Sequence, residues 1–135
     1  MAGRTIRVCP PRDFTFTDLG TEDTQTITIA ERIDSSQYDE LDLIVRVHTA
    51  ATIASAITVQ VVSDGFTTDD PATEFFSTPI GSVELTGSPA AGTLNVQNIA
   101  SKLGAMVAVQ VVGEQAVTPG TTTARLSIDL ALKTS

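Results

Sequence analysis

Leu41-Asp42-Leu43-Ile44-Val45-Arg46-Val47-His48 is the stretch that decides the fold class of this chain. Leu41, Leu43, Val45 and Val47 project to one side of an extended backbone, while Asp42, Arg46 and His48 project to the other, the pattern of an antiparallel strand with one buried face. The same alternation recurs on both sides of it. Upstream, Thr24 to Ile33 opposes Ile27 and Ile29 to Thr26 and Thr28. Downstream, Ile57, Val59 and Val61 oppose Thr58, Gln60 and Val62; Met106 to Val112 is strand again; and Leu126, Ile128, Leu130 and Leu132 oppose Arg125, Ser127, Asp129 and Ala131.

Shorter extended pieces fill the gaps: Thr5 to Val8, Phe14 to Phe16, Thr73 to Thr78, Ser82 to Leu85 and Thr93 to Val96. Turn-forming side chains separate them at Asp34-Ser35-Ser36, Asp64-Gly65, Gly87-Ser88-Pro89 and Val117-Thr118-Pro119-Gly120. Pro10-Pro11 should end the first segment, because proline supplies no ladder donor. Ala50 to Ser55 reads as a tight connection, and Asn98 to Leu103 as one helical turn capped by Asn98 and stopped by Gly104. About eight to ten short strands at this spacing predict an all-β fold, an antiparallel two-sheet β-sandwich. No fixed-period repeat points to a propeller or solenoid.

Composition agrees. The 135 residues suit one domain with a sizeable core, and the 41% apolar fraction is drawn from Val, Ile, Leu and Ala, with no Trp and one Tyr. Threonines such as Thr15, Thr17, Thr24, Thr26 and Thr28 favour strands and disfavour helices.

Net charge is −8, so the long-range field repels nucleic acid phosphates. The charge is unevenly placed. Arg4, Arg7 and Arg12 are the only charged side chains before Asp13, whereas nine acids lie from Asp13 to Asp42. This predicts a basic, extended N-terminal arm over residues 1–12 ahead of a single domain over 13–135. Thr5 to Val8 reads as a short edge strand or an extended arm, and the basic arm is either a solvated terminus or a segment that docks on an acidic surface, its own or a neighbour's. No hydrophobic leader follows Met1, since Arg4 and Arg7 interrupt it, and no apolar run reaches the ~18 residues of a membrane span. The expectation is a protein folded in a cytoplasm, with neither membrane nor direct nucleic acid as partner.

Catalytic equipment is sparse. A lone Cys9 cannot make an intrachain disulfide, and a lone His48 on a polar strand face reads more simply as exposed or hydrogen-bonded than as a base. Zinc lacks ligands, with one Cys and one His. The acid groups Asp34, Asp39, Glu40, Asp42 and Asp64, Asp69, Asp70, Glu74 lack EF-hand spacing, and a chain with 4% aromatics offers little stacking surface for sugars. Gly81, Gly87, Gly92 and Gly104 are isolated turn glycines, not a phosphate loop. The sequence thus predicts a non-enzymatic protein with no cofactor and no metal. The adjacent Phe75 and Phe76 would face opposite sides of a strand, one into the core and one onto a subunit surface.

The tract Ser35-Ser36-Gln37-Tyr38-Asp39-Glu40-Leu41-Asp42-Leu43 leads into one strand, and Asn98-Ile99-Ala100-Ser101-Lys102-Leu103-Gly104 precedes another. Set in a short, acidic, Thr/Ala/Val-rich chain, they resemble the small structural proteins of tailed-phage virions, of the head decoration or cement type. The resemblance implies a jelly-roll-like domain, homo-oligomeric as a trimer or ring, bound to the major capsid protein or other virion subunits. It implies a place in the virion, assembled in the host cytoplasm. On that reading Arg4, Arg7, Arg12, Phe75 and Phe76 are the subunit-contact candidates. The alternatives are a tail-associated or carbohydrate- or receptor-binding sandwich module, and a small hydrolase built on His48 or an acid pair.

Overall fold

The alternating run forms strand β3 (Glu40–Val47), and its four inward residues, Leu41, Leu43, Val45 and Val47, are wholly buried. The computed structural model describes residues 3–16, 24–63, 78–100, 103–114 and 121–134. Within them the other strands are β1 (Gly3–Phe16), β2 (Thr24–Asp34), β4 (Ile53–Ser63), β5 (Thr78–Gly87), β6 (Leu94–Ile99), β7 (Met106–Glu114) and β8 (Thr122–Lys133).

Two four-stranded sheets result, ordered β1-β8-β3-β6 and β2-β7-β4-β5, and every pairing is antiparallel. Only β4 and β5 are paired as sequence neighbours; every other consecutive pair is split between sheets or separated within one. Eight strands wound this way over two packed sheets make a jelly roll.

The core lies between the sheets. β8 contributes Leu126, Ile128, Leu130 and Leu132 beside the β3 residues, and β4 and β7 answer with Ile57, Val59, Val61, Val107, Val109 and Val111, all with no exposed surface. Two glycines admit larger side chains from the opposite sheet or the neighbouring edge. A Cβ on Gly113 of β7 would run into the ring of Phe16 on β1, and one on Gly81 of β5 would meet the side chain of Ile99 on β6.

Among the described residues, buried polar side chains are few and bonded. The wholly buried Ser35 hydroxyl donates to the Gly104 carbonyl at 3.1 Å, and Ser63 Oγ donates to the Leu103 carbonyl at 2.9 Å. Together they pin the turn before β7, where Gly104 takes a left-handed φ of 68°.

Residues 3–12 form the first part of β1 on β8, the edge-strand form of the N-terminal segment, and pairing continues past residue 12 to Phe16↔Thr122. Three local expectations give way. Pro10 and Pro11 do not end it; the register shifts between Cys9 and Arg12, and this bulge absorbs both prolines at a sheet edge. Asn98 and Ile99 belong to β6 instead of a helical turn, because Ile99 is buried opposite Leu41 and Asn98 bonds Asp42. The 50–55 segment is not a simple connection either: Thr52 bridges Thr123, and β4 begins at Ile53.

Truncating Leu130→Ala should cost about 2–5 kcal/mol in denaturant unfolding. Gly113→Ala should cost about 1–3 kcal/mol by overpacking. Combining Gly113→Ala with Phe16→Leu should recover part of that loss in a double-mutant cycle, and strict additivity would show that the two residues do not share the space.

Candidate subunit-contact face

Outward-facing residues of the β1-β8-β3-β6 sheet form a surface patterned by cross-strand charge pairs. Alternation along each strand sets it. Inward positions of β3 and β8 are aliphatic, so the intervening residues, Glu40, Asp42, Ile44 and Arg46 on β3 and Arg125, Ser127, Asp129, Ala131 and Lys133 on β8, come to the outer face.

Several charges on this face are paired across strands. Arg7 of β1 makes a two-toothed contact with Asp129, Nε to Oδ1 at 2.9 Å and Nη2 to Oδ2 at 3.2 Å, which raises the Arg7 pKa. Arg125 reaches Asp13 at 3.2 Å. Lys133 sits between Asp42 at 2.9 Å and Glu40 at 3.4 Å, and Asn98 Nδ2 donates to Asp42 at 2.8 Å. The Asn98 hydrogen bond, then Lys133, hold the Asp42 carboxyl below the ordinary range, and Asp42 in turn raises Lys133.

The three arginines of the N-terminal segment are not brought together. Arg7 is engaged with Asp129, and Arg12 lies over the Phe14 ring with its guanidinium carbon 5.0 Å from the centroid. Arg4 is exposed on the other side of β1, opposite Leu132, where its charge helps to lower the Asp34 pKa behind the larger effect of the Ser36 hydrogen bonds. Phe75 and Phe76 lie outside the described residues.

His48 follows β3 and hydrogen-bonds through Nε2 to Ser127 Oγ at 2.7 Å. Ser127 is 1% exposed, so this Ser/His contact presents no hydroxyl to a substrate. Cys9 is buried, and burial pushes its thiol pKa up against the smaller opposing pull of Arg12 and Arg7, the reverse of an activated nucleophile. Asp34 Oδ1 accepts from the Ser36 backbone N–H at 2.9 Å and from its hydroxyl at 2.6 Å, closing the turn into β3. Among the described residues no three of His, Cys, Asp and Glu converge as metal ligands. An open groove of about 340 Å³ between β5 and β6 is lined by residues such as Glu84, Thr86, Pro89, Thr93 and Asn95, with no aromatic ring.

Strand β6 carries what sequence reasoning did not single out. Leu94 and Val96, 48% and 53% exposed, are the exposed large apolar side chains among the described residues. They pair with Arg46 and Ile44 and so share the outer face, while Asn95 and Gln97 face inward opposite Val45 and Leu43. Buried Ile99 opposite Leu41 fixes this register. A one-residue slip would exchange the two faces.

No family model matches the chain, and no curated protein matches it in sequence. Solved structures share its architecture. The VP2 subviral particle of infectious bursal disease virus aligns with a TM-score of 0.55 at 15% identity, over 97% of this chain and 32% of that one. The Gx strain of the same virus gives 0.54 at 13% identity, over 97% and 31%. The K1 cleaved adhesin domain of Lys-gingipain from Porphyromonas gingivalis gives 0.49 at 11% identity, over 100% and 99%. The likeness to the two viral structures is one of fold. This chain spans about a third of the length of the viral chains it matches.

The pairing around Lys133 predicts a pH response. Asp42 has a lowered folded pKa, so its contribution is complete above the unfolded carboxylate value of about 3.9 and is lost as pH falls through the folded one. Lys133 has a raised pKa, so its contribution holds below about 10.4 and is lost as pH rises through the folded value. The melting temperature should therefore plateau through neutral pH and fall at both ends. Asp42→Asn should flatten the acid limb and Lys133→Met the alkaline limb, as read by thermal melts across pH; unchanged limbs would show that other groups set them.

Proposed function

We propose that this chain is a non-enzymatic structural protein of a virion, and more narrowly a head decoration or cement protein that stabilises a phage capsid through subunit contacts. The observation that carries the reading is the jelly roll itself: 97% of the chain aligns with one third of a virus-particle chain. The domain is the unit shared.

Its outer face supports the same reading. Charges there are held in place by cross-strand pairs, and an apolar stripe runs beside them along β6. Such a face offers a rigid, patterned surface to a repeated lattice. Individual contacts can be modest, because many copies on one shell act at high effective concentration. The buried Ser127 and the raised Cys9 pKa support a role without covalent catalysis. In this reading the partners are the major capsid protein or other virion subunits and further copies of the chain, and the protein assembles in the host cytoplasm.

Sedimentation of the purified protein, alone and with emptied tailed-phage heads, tests this. Saturable co-sedimentation with heads, and heads that resist heat better when coated, are the expected results. A protein that never pellets with heads, or one that hydrolyses a substrate and loses that activity in His48→Ala, would overturn it.

A further inference from the structure

Each sheet has two edge strands, and three of the four are guarded against pairing with another chain. β1 carries Pro10, Pro11, three arginines and two register shifts. β2 is broken between Thr28 and Ala30 and between Ala30 and Ile33, where Arg32 takes a left-handed φ of 56°, and it carries Glu31. β5 contains Pro79 and Glu84 and slips register against Val61 and Val62. These are the devices that keep edges from associating.

β6 has none of them. Leu94-Asn95-Val96-Gln97-Asn98-Ile99 holds no proline and no charge, and it pairs with β3 in one unbroken register from Leu41↔Ile99 to Arg46↔Leu94. Its outward side chains are the exposed Leu94 and Val96, followed by Asn98, which is bonded to Asp42. Among the described residues no strand lies on its other side.

The geometry points to a second copy of this chain as the occupant: we propose that two molecules join β6 to β6 antiparallel about a two-fold axis at Asn95, merging two four-stranded sheets into one of eight. Val47 donates its N–H to the Thr93 carbonyl at 2.9 Å, so alternation turns the N–H and C=O groups of residues 95, 97 and 99 toward β3 and those of Leu94 and Val96 toward the free edge. An axis at Asn95 sets Leu94 opposite Val96 of the second copy, and Val96 opposite its Leu94, as hydrogen-bonded pairs. Each apolar pair is then extended by Ile44 on one flank and by the Arg46 stem on the other.

Charge selects the same partner and the same direction. A protein of net charge −8 meets its own copy best where the seam is neutral, and β6 supplies that seam. Arg46 flanks the Leu94 end and Asp42 the Asn98 end. Antiparallel pairing reverses these ends, setting the basic end of one copy toward the acidic end of the other, whereas parallel pairing would align like charges. The inference does not rest on the virion reading, and a dimer that ignores phage heads leaves it intact.

Sedimentation velocity of the full chain should show a species of twice the 14.1 kDa chain mass at micromolar concentration. Val96→Lys and Leu94→Lys should each weaken dimerisation on the order of tenfold or more while circular dichroism still shows the folded sheet. Two variants guard against the case in which one fails to fold. Asn95→Cys should cross-link to a covalent dimer on mild oxidation, since the axis sets two copies of that position in a non-hydrogen-bonded pair with Cα atoms about 4.5 Å apart; Gln97→Cys should not. A monomer at all concentrations would overturn the proposal. So would a dimer indifferent to both lysine variants, or one in which position 95 never cross-links.

Discussion

Burial of the β3 and β8 aliphatics against those of β4 and β7 is the contact on which the rest of the structure depends. Because β4 and β5 alone pair as sequence neighbours, neither sheet closes locally, and the two faces must meet before most of the ladder can hold. Small, β-branched side chains suit this task, filling the ~10 Å between sheets without forcing strands apart. Where a larger group enters, as Phe16 or Ile99 does, a glycine stands in its way with no Cβ. A fold so dominated by non-local pairing forms slowly and leaves edges open while it forms.

Polar chemistry serves that core more than it opposes it. Ser35 and Ser63 are buried but spend their hydroxyls on the Gly104 and Leu103 carbonyls, so neither hydroxyl is buried without an acceptor. On the outside, the Arg7, Arg125 and Lys133 pairs link strands that are remote in sequence. Their reach is orientational: exposed ion pairs add little to stability, yet they fix where each charge stands. His48 belongs to the same set, its ring held by a hydroxyl that no solvent reaches.

The strands with strict alternation were legible in the sequence, since in β3, and in β8 from Ala124 onward, every inward residue is aliphatic and the period leaves one choice of face. The two-sheet class followed from their number and spacing, and the strand order then gave the jelly roll. What was not legible depended on partners far along the chain. Pro10 and Pro11 look like a terminus of β1 until a bulge on a sheet edge accommodates them. Asn98 looks like a helix cap until Asp42, 56 residues earlier, supplies its bond. Arg4, Arg7 and Arg12 look like one basic cluster, but strand alternation and the bulge send them to different surroundings, and Asp129, which takes Arg7, lies near the other end of the chain.

β6 shows most clearly how a surface can be hidden in a sequence. Its alternation is ordinary, and default reading puts Leu94 and Val96 inside. Ile99 has the other parity: buried opposite Leu41 and close to Gly81, it shares the inward face with Asn95 and Gln97, and Leu94 and Val96 are left exposed. The result is an edge strand with apolar side chains turned outward and polar ones turned toward the sandwich. In a protein that stands alone such an edge is a hazard, and the other three edges show that this chain carries the means to blunt one. Leaving β6 straight, neutral and apolar is the arrangement expected of a strand whose outer neighbour comes from another molecule.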